Sequence, residues 1–406
     1  MSEEQQLRDR LEAVDVPPSL LEMDALVRAG RRRAFRRRSA QAVGGMALVT
    51  GVLLAVPLIL TRTGLPPAVR AGTGPTVASA PVSAPASVGR CQLTKLAVPS
   101  GMTNAAAAAV DPTGRYIVGN DVVKQDFRPI LWTDGRPMAL PMIGKSVQAT
   151  AVNASGVVVG LVTDAEQEYV FRYENGAYTR LRTPAGSWRV YPAPAINAAG
   201  DIVINAEPSG NVEGKDSIIL LWKAGSTTAV RLPVPIEANA FDITDDGMIV
   251  GAMYDDSHAT TPYVWDQQGN GRKLTLPAGQ TGAAYAAQGN WATGGLWPSM
   301  ASALWNLQTG EVTKLETKDP GAAKTKEEQE SAAKRGGQGP GIAVNASGWI
   351  IAGGSNSVLR DGAAAELEVP SGQTRRARGV SDAGLVVGQA IADDDGENLG
   401  PRAWRC

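Results

Sequence analysis

Apolar and polar positions follow a repeating pattern along the chain from about residue 91 to its end. Each unit has two short apolar runs joined by a turn that ends in glycine, with Asn or Asp three positions earlier in most units. The seven turn glycines are Gly114, Gly156, Gly200, Gly247, Gly289, Gly348 and Gly384. Because Asn and Asp hydrogen-bond to their own backbone and glycine accepts positive φ, these segments predict tight turns between strands.

Two more apolar runs follow each turn. The third ends in an aromatic residue in most units, as in "ILW" (130–132) and "LLW" (220–222), and the fourth ends in a Leu-Pro-like segment such as "LTLP" (274–277). Four strands repeating roughly every 40 residues are typical of a propeller blade. The pattern therefore predicts an all-β fold, a seven-bladed β-propeller with four-stranded blades over residues 91–406.

The six residues "AVNASG" occur twice, at 151–156 and 343–348. Both copies contain an N-x-[ST] acceptor for glycans, at Asn153 and Asn345. The equivalent turns read "NAAG" at 197–200 and "TDDG" at 244–247, where the acceptor pattern is lost and the turn is kept. The repetition is therefore interpreted as architectural, and the acceptor pattern as a by-product of the turn.

This unit, A-[VI]-N-x-x-G-x-[VI]-V-G followed by an apolar pair and Phe or Trp, resembles the extracytoplasmic HAF-type repeat of predicted bacterial β-propellers. The resemblance covers about residues 91–406, although the His-Ala-Phe triplet itself is missing and the single histidine is His258. It implies a propeller fold outside the cytoplasm and says little about function.

The two cysteines, Cys91 and Cys406, lie at opposite ends of the repeat region. The last unit has only three strands, and "CQLTKLAVP" (91–99) supplies the missing fourth one. Superposition of the units puts the cysteines at the positions of Ala224 and Gly225, neighbours within one hairpin turn. We therefore expect a disulfide that closes the ring, which an oxidising compartment would favour; two unrelated free thiols are the alternative.

The N-terminal region predicts a membrane anchor. Residues 42–60 contain nineteen consecutive uncharged residues, about the length that crosses a bilayer core of roughly 30 Å. Seven arginines lie at 28–38, and this excess orients the N-terminus towards the cytoplasm. Residues 1–38 are thus predicted to be a cytoplasmic tail and 39–61 a transmembrane helix. Membrane lipid is expected to contact Arg31, Arg32, Arg33, Arg36, Arg37 and Arg38.

A cleaved signal is the alternative for the same region. "RRRAFRR" (31–37) resembles a twin-arginine export signal, although Arg36 stands where that signal usually has an apolar residue. After the apolar segment, residues 62–90 are mostly Pro, Ala, Ser, Gly, Thr and Val. This composition predicts a disordered spacer between the membrane and the propeller.

Candidate chemistry in the repeat region is sparse. A single histidine excludes a metal site built from histidines, "GKS" (144–146) lacks the first glycine of a phosphate loop, and no catalytic, cofactor-binding or metal-binding residue is predicted. A net charge of −1 gives no reason to expect nucleic acid. Aromatic and charged residues that suit a ligand-binding rim occur in two loops. The candidates are Trp188, Arg189, Tyr191, Asp255, Asp256 and His258, with packing between blades as the alternative role.

Together these observations favour a membrane-anchored, extracytoplasmic module that binds or senses an envelope ligand or protein. The acidic tail followed by arginines resembles tails of actinobacterial membrane proteins that accompany extracytoplasmic-function sigma factors, which implies a cytoplasmic regulator as a further partner. The alternative is a tethered or Tat-secreted carbohydrate-active enzyme. Such an enzyme needs two carboxylates about 5–9 Å apart, beneath an aromatic-lined cleft.

Overall fold

The computed structural model describes residues 89–164, 167–191, 193–211, 216–255, 259–315, 339–353, 357–360 and 363–406. No helix long and apolar enough to span a bilayer occurs among these residues. The predicted tail and transmembrane segment, and the predicted spacer up to residue 88, lie outside them. Within the described residues, twenty-nine strands, β1 to β29, form seven antiparallel sheets.

The seven sheets are the seven blades, each named here by its order in the chain. Blade 1 contains β2 (Ala105–Val110), β3 (Tyr116–Val123), β4 (Asp126–Thr133) and β5 (Arg136–Ala139). Blade 2 contains β6 (Ser146–Val152), β7 (Val158–Asp164), β8 (Gln167–Glu174) and β9 (Ala177–Arg180). Blade 3 contains β10 (Trp188–Val190), β11 (Ala195–Ile196), β12 (Ile202–Pro208), β13 (Ile218–Trp222) and β14 (Val230–Arg231). Blade 4 contains β15 (Ala238–Ile243), β16 (Ile249–Tyr254), β17 (Thr260–Trp265) and β18 (Gly271–Lys273).

The remaining three blades complete the circle. Blade 5 contains β19 (Thr281–Gln288), β20 (Trp291–Trp297), β21 (Ala301–Asn306) and β22 (Val312–Leu315). Blade 6 contains β23 (Gly341–Val344), β24 (Ile350–Ala352), β25 (Ser357–Arg360) and β26 (Ala363–Glu366). Blade 7 contains β27 (Gln373–Val380), β28 (Leu385–Ala392), β29 (Asn398–Arg405) and the first strand of the chain, β1 (Gln92–Lys95).

The first strand of each blade is the innermost one. These inner strands contact one another all the way round, β2 with β6, β6 with β11, and onward until β27 meets β2. The predicted all-β, seven-bladed propeller with four-stranded blades is confirmed. So is the prediction that the N-terminal strand completes the last blade, since β1 pairs with β29 from Gln92↔Arg405 to Lys95↔Arg402.

The turn after each inner strand explains why "AVNASG" is repeated. The Oδ1 atom of Asn153 accepts hydrogen bonds from the backbone N–H groups of Ser155 and Val157, which holds its own turn together. Its Nδ2 atom donates to the carbonyl of Asn197 in the next blade. Asn345 binds its turn in the same way and donates to the carbonyl of Ser381. The amide nitrogen that a glycan would need is thus already used to join blades.

In six of the seven blades, the aromatic residue near the end of the third strand joins the blade to the one before it. These side chains are almost completely buried: Trp132, Phe171, Trp222, Trp265, Trp305 and Trp404. In four blades the indole N–H also donates to the backbone carbonyl that follows the buried leucine of the preceding blade's outer strand. The acceptors of Trp132, Trp222, Trp305 and Trp404 are Ala97, Arg182, Thr275 and Glu368. The "Leu-Pro" and "apolar-apolar-Trp" markers are therefore two halves of one contact between blades.

The ring is closed covalently. Cys91 and Cys406 form a disulfide with a Cα–Cα distance of 4.4 Å, as predicted. Hydrogen bonds support the same closure, since the Cys91 N–H donates to the Glu366 carbonyl and the Glu368 N–H donates to the Cys91 carbonyl. Blade 7 is thus held by both ends of the repeat region.

Candidate functional site: the central channel

A β-bulge near the middle of the inner strand turns one extra residue of each blade towards the axis. The bulge lies in the same place in six blades. In blade 3 the inner strand is interrupted between β10 and β11, and Pro194 takes the corresponding place. The seven residues, which we call the bulge ring, are Ala108, Thr150, Pro194, Phe241, Tyr285, Ile342 and Arg378. Together with the turn residues they line a cavity of about 260 Å³ on the axis.

Backbone packing makes the bulge possible. The second strand carries a glycine directly opposite it, and a Cβ at Gly160 would lie 1.8 Å from the Gln148 carbonyl oxygen. The same close approach occurs at Gly119, Gly251, Gly294 and Gly388. This contact accounts for the final glycine of the "IVG" pattern, whereas the turn glycines are needed for their positive φ.

One carboxylate lies just beyond the bulge ring. The residues that follow the ring members are alanine in five blades and glycine in blade 7, but Asp242 in blade 4. Its Oδ1 and Oδ2 atoms accept hydrogen bonds of 2.9 Å from the backbone N–H groups of Ile243 and Ala287. Burial raises the pKa of Asp242 to about 7, opposed by these two N–H groups and reinforced by the charge of Asp245. Asp242 is therefore a channel carboxylate that titrates near neutrality.

Two further acids lie at the end of the cavity formed by the turns. Asp245 and Asp382 are exposed, and both accept hydrogen bonds from the Nε2 atom of Gln288, at 3.2 and 3.3 Å. Their Oδ1 atoms accept the backbone N–H groups of Ala198 and Ala346 in the preceding blades. This end of the channel is acidic, and its carboxylates also join blades.

An arginine gives the channel the opposite charge at the level of the bulge ring. Arg378 is half-buried in the bulge ring, and Arg376 is exposed two residues earlier on the same inner strand. Burial and, to a smaller extent, the neighbouring positive charge of Arg376 together lower the pKa of Arg378 to about 10. The channel therefore carries positive charge at one level and negative charge at another.

Aromatic side chains from blades 4 and 5 form one wall. Phe241 and Tyr285 meet edge to face with ring centroids 5.1 Å apart, and Tyr285 meets Trp297 at 6.2 Å. Burial raises the pKa of Tyr285, as does the nearby Tyr254. Burial likewise raises the pKa of Tyr254, with a contribution from Tyr191 of blade 3. We call Phe241 and Tyr285, the aromatic residues that line the cavity, the aromatic wall.

The predicted rim residues of blade 3 lie together where its inner strand begins. The Arg189 guanidinium pairs with the buried Glu207 carboxylate, and the Tyr191 hydroxyl donates to the same carboxylate at 3.1 Å. Trp188 is half-buried and packs against the core between blades 2 and 3. None of the three lines the cavity on the axis.

The predicted rim residues of blade 4 are only partly described. Asp255 is exposed and accepts a hydrogen bond from the backbone N–H of Ala259. Asp256 and His258 lie outside the described residues.

The bulge ring was not predicted. The repeat is recognised from the residues that its units share, and the ring position is one where the units differ. A signal was present: each ring residue stands three positions before the first residue of the turn. Among the described residues no group of His, Cys, Asp and Glu is arranged to hold a metal ion.

Comparison with known proteins supports the fold. A variant of puromycin hydrolase in complex with PGG is 13% identical over 72% of this chain and 51% of its own, with a TM-score of 0.50. An oligogalacturonate lyase in complex with manganese is 10% identical over 78% of this chain and 98% of its own, with a TM-score of 0.46. TolB from Acinetobacter baumannii is 11% identical over 76% and 65%, with a TM-score of 0.36.

At 13% identity, the likeness to the hydrolase shows a shared fold alone. This chain spans less than two thirds of the length of the matched hydrolase and TolB chains. No family model matches the chain, and no curated protein sequence matches it.

Proposed function

We propose that this protein is a non-catalytic binding module whose propeller takes an envelope ligand in the central channel. The observation that carries the proposal is the chemistry of the bulge ring. At one structurally equivalent position, seven blades present seven different residue types: Ala, Thr, Pro, Phe, Tyr, Ile and Arg. The position directly after it is alanine in five of the seven blades.

In a repeat protein, equivalent positions that keep the same residue type and equivalent positions that vary do so for different physical reasons. Residues that pack one blade on the next face the same surroundings in every unit, so the same types recur. The buried third-strand aromatic residues and the turn residues follow this rule. The bulge ring faces the axis, where a ligand would meet seven different side chains at once. Diversity confined to that ring supports recognition of an asymmetric ligand.

The channel polar groups favour binding over catalysis. A glycosidase needs one carboxylate free to donate a proton and a second one to act as base or nucleophile. Asp242 has a pKa suited to a general acid, and this observation keeps the carbohydrate-active alternative in view. Both of its oxygens, however, already accept backbone N–H groups, and Asp245 is held by Ala198 and Gln288.

The location of the module is part of the proposal. Residues 39–61 would anchor the protein in the cell membrane, 1–38 would face the cytoplasm, and 62–90 would space the propeller from the bilayer. The disulfide between Cys91 and Cys406 supports an oxidising, extracytoplasmic location for the propeller.

Protease added to intact cells should remove the propeller and leave the tail protected. A freely soluble mature protein beginning near residue 72 would instead support the cleaved-signal alternative.

Signalling through the tail is an extension of the proposal, with a cytoplasmic regulator as the partner. Deleting residues 2–27 while keeping the arginines and the apolar segment tests it. If envelope-stress transcription responds to loss of the propeller but not to this deletion, the tail serves only membrane orientation.

Photo-crosslinking in intact cells tests ligand binding. The photoreactive phenylalanine analogue p-benzoylphenylalanine is placed at Phe241 in the bulge ring or, as a matched control, at Phe127 on β4, which does not line the cavity. A defined adduct from position 241 and none from position 127 is the expected result. No adduct at 241, or the same adduct at both positions, would refute the proposal. Purified protein that releases new reducing ends from envelope polysaccharide, with the activity lost in Asp242→Asn, would replace it by the enzyme alternative.

A further inference from the structure

Arg378 is the only charged member of the bulge ring, and the fold does not require a charge there. The equivalent position holds Ala108, Thr150, Pro194 and Ile342 in other blades with the same architecture. In blade 6, which precedes blade 7, Ile342 occupies the same kind of bulge. An uncharged side chain is therefore sufficient to build a blade.

The charge is placed where it is costly. Arg378 lines the cavity, and within the described part of the chain no hydrogen bond or ion pair joins its guanidinium to another residue. Burial lowers the pKa of Arg378, and the positive charge of Arg376 lowers it as well. Taking part of a cation out of water without a counter-charge is unfavourable, and a neighbouring like charge adds to the cost. An arginine in this position is explained most simply by an anion that the channel receives.

We infer that Arg378 binds an oxyanion group, a carboxylate or a phosphoryl group, on the ligand of the central channel, while the ring bearing that group lies against Phe241 and Tyr285. The inference rests on the proposed function and names its ligand class. Guanidinium groups present planar sets of N–H donors that match the oxygens of carboxylates and phosphates.

The rest of the channel gives the ligand its size and direction. A cavity of about 260 Å³ lies just below the usual range of roughly 300–1,000 Å³ for drug-sized ligands. It therefore suits a single sugar-sized group, either free or at the end of a longer molecule. Asp245 and Asp382, at the end of the cavity formed by the turns, would repel an anion. The charged group is thus directed to Arg378, and the uncharged part faces these two acids.

Three sugars of similar size test this inference on the full-length protein in a sugar-free nonionic detergent. Glucuronate carries a carboxylate, glucose 6-phosphate carries a phosphate, and glucose carries neither; binding is measured by saturation-transfer NMR. The two anions should bind at least about 10-fold more tightly than glucose, and Arg378→Gln should weaken them about 10- to 100-fold, as expected for charge-assisted hydrogen bonds. Arg136→Gln, on the exposed outer strand β5, is the matched control and should change nothing.

A stability measurement separates a ligand-binding role from a structural one. Arg378→Ile introduces the residue that blade 6 already has, and it should raise the melting temperature of the ligand-free protein because an unpaired cation is removed. Glucuronate should raise the melting temperature of the wild-type protein and leave that of Arg378→Ile unchanged. A lower melting temperature for Arg378→Ile would assign the arginine to the fold and overturn the inference.

The two proposals fail in different ways. Equal binding of the three sugars, binding of none of them, or wild-type affinity in Arg378→Gln overturns the anion inference, whereas an adduct at position 241 would still support a channel ligand. Absence of that adduct overturns the proposed function itself.

Discussion

Loss of the Cys91–Cys406 bond should lower the stability of the propeller by several kcal/mol. The two cysteines are 315 residues apart in sequence, so the bond closes nearly the whole repeat region into one loop. The chain-entropy relation assigns a loop of this size about 6 kcal/mol at 25 °C, as an upper limit because residual structure in the unfolded chain reduces it. Without the bond, β1 is held to β29 by the backbone pairing of four residues.

Urea unfolding measures the effect on Cys91→Ala/Cys406→Ala and on the wild-type protein with and without reductant. Alanine is preferable to serine because Cys91 is 1% exposed and a buried hydroxyl would add a cost of its own. With a urea m-value of about 3 kcal/mol per M for a domain of this size, the midpoint should fall by up to about 2 M. The double variant itself should not respond to reductant, which controls for other effects of that reagent.

Hydrogen exchange locates the effect. Amides of β1 and its partner β29 should exchange faster in the reduced protein, while blades 2 to 5 keep their protection at low urea concentrations. An unchanged midpoint together with unchanged exchange in β1 would show that backbone hydrogen bonds alone close the ring, and the entropic reasoning would be wrong.

Three substitutions test other features of the fold and the channel. Asn153→Asp keeps the acceptor for its own turn but loses the donor to the next blade, so the free energy of unfolding should fall by about 1–3 kcal/mol, as measured by urea unfolding. Gly160→Ala places a Cβ 1.8 Å from a backbone oxygen and should cost about 3 kcal/mol or more, with poor yield of folded protein. Asp242→Asn should remove a pH dependence: the folded-state pKa of about 7 lies above the ordinary 3.8, so wild-type stability should fall between about pH 4 and pH 7, by at most roughly 4 kcal/mol since the Asp242 side chain is partly exposed.

Matched controls and contrary outcomes follow from the same geometry. Ser155→Ala alters the glycan acceptor but leaves the turn, because Ser155 uses only its backbone N–H there; equal losses for it and Asn153→Asp would contradict the link between blades. Gly210→Ala, where no atom lies within 4 Å of the added Cβ, should be nearly neutral. For Asp242, the difference in melting temperature between wild type and variant is followed from pH 4 to pH 8, and a constant difference would contradict the raised pKa.

The closure of the ring could be predicted from the sequence because the features that indicate it are either local or repeated in every unit. The position of Cys406 after its tryptophan and of Cys91 before its strand end could be compared with an intact unit, in which Ala224 and Gly225 share one turn. Since every blade has the same backbone geometry, that comparison carried over to three dimensions.

Arg189 marks the limit of such reasoning. An arginine beside two aromatic residues in the sequence indicates a binding cluster. Only the folded chain shows that Glu207, on the neighbouring strand β12, pairs with this arginine. A pattern along one strand contains no information about which charge lies opposite, because that depends on the register of pairing.

The sequence by itself determined the strands, the turns, the number of blades and the covalent closure, because turn chemistry and apolar periodicity act over a few residues and are then repeated. Only the tertiary structure decided that Phe241, Tyr285 and Arg378 share one ring with four other residues. The physical reason lies in the bulge and the circle: one extra residue in each inner strand turns a side chain towards the axis, and closure of seven blades brings together positions that are as much as 270 residues apart in the chain.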